Sequence, residues 1–370
     1  MTRKILAVLV MIMMLCGISW ADIAYTTSDG GLGLIKFKSS TSVDVEGIKY
    51  QGSSTSPFVA PYWDGGSSRV ILIDRTDDAA TSGDTAQTFS PSDLSSPLET
   101  TPKTLTGRYG TRSAAGSVNG RALFLASGTK VTEFSTENFA QVHSYDCMAN
   151  YGSNDVVPLV RDVMTNYYTI YILADSEDAS MLLKFDGQLR RDVEDFSVTS
   201  LPHRSSSMSW LSRSRIALPH SEGIDILYSD TISTLSSDRP VVSVCADRDS
   251  GFYFITQTAS GDATLSHYSY STQQTTDLFT NEAGGNVQLL QETNYNVLGV
   301  IIGGKIRLYN MTDESLVGEY SSSVLGGTPL NMAMTTATGE DSSNSSSGCD
   351  ASGVGLCIAG LLAFMMTRKK

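Results

Sequence analysis

The sequence predicts an all-β protein, a seven-bladed β-propeller of four-stranded antiparallel blades closed by a C-terminal strand. Three observations lead there. Short β-branched and aromatic runs recur at Ile23–Tyr25, Arg69–Ile73, Arg121–Leu125, Thr169–Leu173, Arg215–Leu218, Phe252–Ile255 and Asn296–Ile301. Their mean spacing of about 45 residues is the length of a propeller blade. Ser127–Gly128, Asp186–Gly187 and Gly303–Gly304 stand between paired runs as hairpin signals. Ser, Thr, Gly and Tyr are abundant while long Glu/Lys/Leu runs are missing, a balance that favours strands and turns.

The chain opens with a basic pair, Arg3–Lys4, an apolar run from Ile5 to Ile18, and the small-x-small triplet Ser19–Trp20–Ala21. That order is a secretory signal peptide over 1–21, with the mature chain beginning at Asp22. Leu15 is too bulky before Cys16 for lipoprotein processing. Five of the 26 basic and one of the 39 acidic residues fall in the end segments, leaving 21 against 38, a net charge of −17 for the rest. So acidic a surface repels phosphate backbones and excludes nucleic acid as a partner.

Residues 22–338 hold the repeats. Ile23–Thr27 aligns with the second strand of the other units, so the first unit lacks its own innermost strand; Pro329–Thr335 after the seventh unit supplies it, or else is linker. In the second unit the stretch from Ile73 to Arg112 is long, polar and rich in Ser, Thr and Pro, which predicts a large loop around a weakly formed blade. Its Asp74, Asp77, Asp78 and Asp84 are oxygen donors suited to Ca²⁺, but they lack the alternation and closing Glu of an EF-hand loop, and a solvated loop is the better reading. The third unit reads as strands at Arg121–Ala126, Thr129–Phe134 and Phe139–Tyr145. The fourth reads as Tyr168–Ala174, Met181–Phe185 and Leu189–Phe196. The seventh is clearest: Val287–Gln291, Val297–Ile302, Lys305–Asn310 and Leu316–Ser321 form a four-stranded meander.

Candidate chemistry is sparse. Asp64, Asp162, Asp247 and Glu292 fall at or just beyond the ends of proposed innermost strands, so a ring would bring them to one mouth of its channel, where carboxylates suit Ca²⁺ or another hard cation. The competing reading is that they start turns. No catalytic set and no cofactor emerge. His143, His203, His220 and His267 avoid the innermost strands and read as ordinary strand or loop residues. Ser127–Lys130 matches S-x-x-K across a hairpin rather than at a helix start, and the Trp63–Asp64 dipeptide lacks its Gly-His partner. Cys147 and Cys245 fall on blades too far apart for a disulfide and are expected as free thiols.

The tail carries its own signal. An acidic Ser-rich spacer, 339–347, precedes Gly348–Cys349, a small-residue stretch, the apolar run Val354–Met366 and the basic Arg368–Lys370. The apolar run is short of the roughly 20 residues that span a bilayer comfortably. "SSGCDASGVG", with the apolar stretch and "RKK", resembles the Cys-containing C-terminal sorting signals of bacterial envelope proteins, in particular the Synerg-CTERM type. The resemblance covers the last 25 or so residues, 348–370 with their approach. It implies processing near Gly348–Cys349, attachment through the cysteine, and residence in the cell envelope. Asp350 stands where such tails commonly have Asn. A plain C-terminal membrane helix with a basic stop is the alternative.

Together these features predict an exported, envelope-anchored propeller that binds or displays, with an unidentified protein or glycan as ligand and the membrane as partner through the tail. Two alternatives stand beside it: an envelope hydrolase of lactonase type with a metal in the channel, and a structural surface-layer component.

Overall fold

A computed structural model describes residues 22–335, apart from 54–56, 65–66, 75–83, 106–113, 117–121, 154–155, 167–168, 193–195, 213, 249, 284 and 293–294. The signal segment 1–21, the spacer 339–347 and the tail 348–370, with Gly348 and Cys349, lie outside the described residues, as do Asp77 and Asp78. Among the described residues no helix is long and apolar enough to cross a membrane.

Seven antiparallel sheets form the ring. From the innermost strand outward, blade 1 comprises Pro329–Met334, Ile23–Thr27, Gly31–Ser39 and Ser42–Gln51. Blade 2 comprises Phe58–Asp64, Ser67–Asp74, Thr85–Ser90 and Asp93–Pro97, with Lys103–Thr104 added beside the third strand. Blade 3 has Ala114–Gly116, Ala122–Ser127, Lys130–Ser135 and Gln141–Asp146, and blade 4 has Val160–Asn166, Thr169–Asp175, Ser180–Asp186 and Ser197–Ser200. Blade 5 is built from Ser209–Ser212, Arg215–His220, Gly223–Tyr228 and Thr231–Ser236. Blade 6 is built from Val241–Asp247, Gly251–Gln257, Asp262–Ser269 and Gln274–Ala283. Blade 7 follows with Gln288–Glu292, Val297–Ile302, Lys305–Asn310 and Leu316–Ser321.

The ring explains the hydrophobic runs. The buried residues form seven clusters, one in each seam between neighbouring blades. A second strand lies between two seams, so both its faces are covered and the usual polar alternation disappears. In Ala122–Ser127, Ala122 and Phe124 enter the seam with blade 4 while Leu123 and Leu125 enter the seam with blade 2. Val297–Ile302 is buried at every position for the same reason. Outer strands such as Thr231–Ser236 face water along much of their length and are correspondingly rich in Ser and Thr.

Pro329–Met334 closes the ring by pairing antiparallel with Ile23–Thr27, Met334 opposite Ile23 and Met332 opposite Tyr25. Asp22 N–H donates to Thr335 Oγ1 at 3.1 Å, and Thr335 N–H donates to the Asp22 carbonyl at 2.8 Å. Tyr25 Oη donates to the Leu325 carbonyl at 2.9 Å across the blade 7–1 seam. Its ring lies over Gly33, where a Cβ would meet Tyr25 Cζ at 2.2 Å. Gly33→Ala therefore displaces the Tyr25 ring and is expected to cost about 3 kcal/mol in a urea melt, the upper range of core overpacking.

Two expectations need correction. The polar stretch after Ile73 is not merely a loop beside a weak blade: Thr85–Ser90 and Asp93–Pro97 complete blade 2, because its few apolar side chains, Ala86, Phe89 and Leu94, all turn inward. The outer strand of blade 4 is Ser197–Ser200 rather than Leu189–Phe196. Leu189 is buried in the blade 3–4 seam and Phe196 packs on Phe185 and Tyr145, so these apolar residues anchor a connection instead of pairing as a strand. Cys147 begins a short helix, Cys147–Tyr151, after the outer strand of blade 3, and Cys245 lies on the innermost strand of blade 6. Both are free, and burial pushes each thiol up to about 12.

Candidate functional site

Antiparallel blades give a propeller two unlike faces. On one lie the turns from first to second and from third to outer strands; on the other lie the turns from second to third strands and the linkers between blades. Asp22 and Thr335 meet at the start of a second strand and the end of an innermost one, so both ends of the body leave from the first face. The linker face is opposite these two residues.

The sequence-predicted carboxylates divide between these levels. Asp64, Asp247 and Glu292 each end an innermost strand, on the face of the chain ends, while Asp162 is the third residue of its strand and sits towards the other face. Asp162 therefore does not join the other three. The rest sit at local turns, although Asp247 also faces His267. Glu292, fully buried, accepts the Tyr295 backbone N–H, and Asp247 accepts from the Ser250 hydroxyl. Asp64 is placed by its pairing with Ser67 across the turn. Of the loop aspartates, Asp74 is buried with Oδ2 accepting from Ser53 N–H at 3.1 Å, and Asp84 is buried at the entry to the third strand of blade 2.

Asp162 has a different task, one the sequence reading missed. Its Oδ2 accepts the Met208 N–H at 2.7 Å, tying blade 4 to blade 5. Ser209 Oγ donates to the Val244 carbonyl at 2.6 Å, and Ser243 Oγ accepts from Leu289 N–H at 3.1 Å. Gln288 grips Met332 through both N–H and carbonyl, and Asn331 Oδ1 accepts from Val59 N–H at 3.0 Å. A belt of side-chain-to-backbone bonds thus links innermost strands at five seams among the described residues. The signal was available: a polar residue stands near the start of each of these strands. Asp162→Ala is expected to lower stability by about 2 kcal/mol, the worth of a hydrogen bond to a charged group. In thermal melts, added Ca²⁺ is expected to leave the transition of both proteins unchanged.

Histidine is where the sequence reading fell furthest short. His203, on the linker into blade 5, stacks on His220 with ring centroids 4.0 Å apart. Asp225, almost fully buried, receives His203 Nδ1 at 2.9 Å and Thr234 Oγ1 at 2.6 Å, with His220 Nε2 at 3.5 Å. Among the described residues this is the one group of three His, Cys, Asp or Glu side chains with donor atoms within 4.8 Å of one another, the spacing a metal ion needs. Its bonding is complete except at His220 Nε2, which is buried without a hydrogen-bond partner. Glu222 N–H donates to His220 Nδ1 at 3.2 Å, which leaves the proton of the neutral ring on Nε2, facing Asp225. Burial lowers the His220 pKa, so the neutral ring is favoured. The spacing His220–Asp225 around a two-residue turn put both on one face of a hairpin and could have been read from the sequence. The linker His203 could not.

A second histidine bridges blades 6 and 7. His267 Nε2 lies 3.0 Å from Asp247 Oδ2, off the line of a hydrogen bond, and Nδ1 lies 2.9 Å from Glu314 Oε1. Tyr253 stacks on the ring at 4.4 Å. The Asp247 carboxylate, with help from Glu314 and against burial, raises the His267 pKa.

A concavity lies on the blade 6 side of blade 5. A cavity of about 450 Å³ opens at the linker face between blades 5 and 6, of a size that suits small ligands. Ile224 and Phe254 give it an apolar wall, while Thr264, Ser266, Asp277 and Arg239 give it polar ones. Ser266 Oγ donates to Asp277 Oδ1 at 2.7 Å, and Arg239 Nη1 reaches Thr264 Oγ1 at 3.4 Å. Blade 5 therefore carries the histidine cluster on one face and this cavity on the other.

No family model and no curated protein matches the chain. Solved structures do. A putative 6-phosphogluconolactonase from Bacteroides uniformis superposes with a TM-score of 0.61 at 11% identity, over 85% of this chain and 99% of that one. A periplasmic gluconolactonase from Pseudomonas aeruginosa does so with 0.58 at 10% identity, over 86% and 99%. The U3-55K protein gives 0.52 at 12% identity, over 76% and 85%. Identities this low carry the architecture and nothing finer: the chain is a β-propeller, and its structural neighbours include proteins of gluconolactonase type.

Proposed function

We propose that this chain is an exported, envelope-anchored propeller that works as a binding module, presenting its linker face to ligand. The observation that carries this reading is the position of the chain ends. Asp22 and Thr335 meet on one face, so the spacer 339–347 and the anchor 348–370 are approached from that face, and the cavity of blades 5 and 6 opens on the opposite one. The signal segment 1–21 and the Synerg-CTERM-like tail with Gly348 and Cys349 supply the export and the anchor. The lactonase alternative finds a parallel in two structural neighbours, but three of the axial carboxylates it relied on, Asp162, Asp247 and Glu292, are engaged in turns and in the inter-blade belt. Binding is therefore the better reading.

The test is labelling of intact cells with a membrane-impermeant maleimide. Ser221→Cys places a thiol on an exposed turn of the linker face, and Cys147 and Cys245 are buried. The expected result is labelling above that of the unsubstituted chain before lysis. Labelling that rises above that level only after lysis would overturn export and display together.

A further inference from the structure

We infer that the cavity between blades 5 and 6 binds a small polyhydroxylated carboxylate, a sugar acid, with Arg239 taking the carboxylate and Asp277 a hydroxyl. This deepens the binding reading above, since it names the ligand class for the face left free.

Arg239 carries the inference. Other described arginines are matched by a carboxylate, by carbonyls or by rings: Arg204 donates to the Ser176, Glu177 and Ala179 carbonyls, Arg191 reaches Asn150 and lies over Tyr151 and Phe196, and Arg215 lies over Tyr228 and Tyr270. Arg161 holds Asp175, Arg190 holds Asp192 and Arg307 holds Glu319. Arg239 has no such partner among the described residues; its one side-chain bond is the long contact to Thr264. It stands half-buried on the linker into blade 6, at the wall of a cavity large enough for a monosaccharide. A planar, permanently charged fork in that position matches a carboxylate and offers two parallel bonds to it.

The remaining walls select for hydroxyls. Thr256, Thr264 and Ser266 are buried yet present hydroxyl groups at the cavity, and such groups both donate and accept. Asp277 holds Ser266 through Oδ1, and its second oxygen suits a ligand O–H and repels a second acid group. Phe254 and Ile224 supply the apolar surface that the C–H face of a sugar ring covers. A dicarboxylate or a phosphate would meet Asp277 with like charge; a neutral sugar would leave Arg239 unmatched. One carboxylate among several hydroxyls satisfies both ends.

The test uses the full-length chain, with isothermal titration and ligand-observed NMR against D-glucuronate, D-galacturonate, D-glucose, D-galactose and acetate. At least one uronate is expected to bind more than about tenfold tighter than its neutral hexose and than acetate, the margin one charge-assisted contact supplies. Arg239→Gln, which breaks only the Thr264 contact, is expected to erase that margin while thermal melts stay unchanged. Asp277→Asn is expected to weaken uronate and hexose alike. No uronate binding at millimolar concentration, equal binding of hexose and uronate, or a margin that survives Arg239→Gln would each overturn the inference. The labelling of intact cells is read separately, so failure here leaves export and display standing.

Discussion

A chain ended at Thr328 is expected to lose its cooperative unfolding transition. The deletion removes the innermost strand of blade 1, so Ile23–Thr27, buried at all five positions, becomes an edge strand. Met332 and Met334 leave the blade 7–1 seam and Ala333 the blade 1–2 seam. The two methionines alone account for about 4–10 kcal/mol by the cost of emptying buried sites, against a total stability of about 5–15 kcal/mol. Lost as well are the Gln288 and Asn331 links of the inter-blade belt. Circular dichroism during a thermal ramp checks this: a broad, non-cooperative melt is expected, and a sharp transition within a few degrees of the intact chain would mean that the ring does not depend on its closing strand.

His267→Ala is expected to cost about 3 kcal/mol at pH 6, because it leaves Asp247 buried beside an empty space with one charge unmatched. The loss should shrink as pH rises. His267 has a folded pKa above its ordinary value, set first by Asp247. Its contribution is complete below the unfolded value of about 6.5 and disappears as pH climbs through the folded one. His220 has the opposite sign: burial depresses its pKa, so its contribution is present above about 6.5 and is lost as pH falls through the folded value. The two trends act on opposite sides of about pH 6.5, so together they place a stability maximum near that pH in the intact protein. Urea melts from pH 5 to 9 separate them: in His267→Ala the remaining slope should be stability rising with pH. A variant whose stability still falls between pH 6 and 8 would show that the Asp247–His267–Glu314 bridge is not its source.

How far the fold could be read in the sequence varies by residue and for a physical reason. Second strands lie between two seams, so runs such as Val297–Ile302 are apolar throughout and their bounds emerge as predicted, along with Lys305–Asn310 and Leu316–Ser321. Outer strands are held chiefly by backbone pairing at a wet edge, and Ser197–Ser200 carries no apolar pattern to distinguish it from a loop. The Ser/Thr-rich third strand of blade 2 was masked in the same way. At the site, local chemistry could be read and long-range chemistry could not. Glu292 and Asp247 each accept from a position three residues on, as turn residues do, whereas the approach of Asp247 to His267 spans twenty residues. Asp162 bonds 46 residues onward, His203 meets Asp225 from a linker, and Arg239 faces a strand of its own blade 38 residues ahead at Asp277. His203 and Arg239 leave no mark at their own positions, and Asp162 shows only a polar residue near the start of an innermost strand, with nothing to name its partner.

The most direct test of an exported, anchored propeller is the intact mass of the mature protein recovered from the membrane fraction of its own cells. The predicted result is a chain that starts at Asp22 and either ends or carries added mass near Gly348–Cys349. A chain that retains Met1 would contradict export, and one that starts at Asp22 but runs unmodified to Lys370 would contradict sorting through the cysteine.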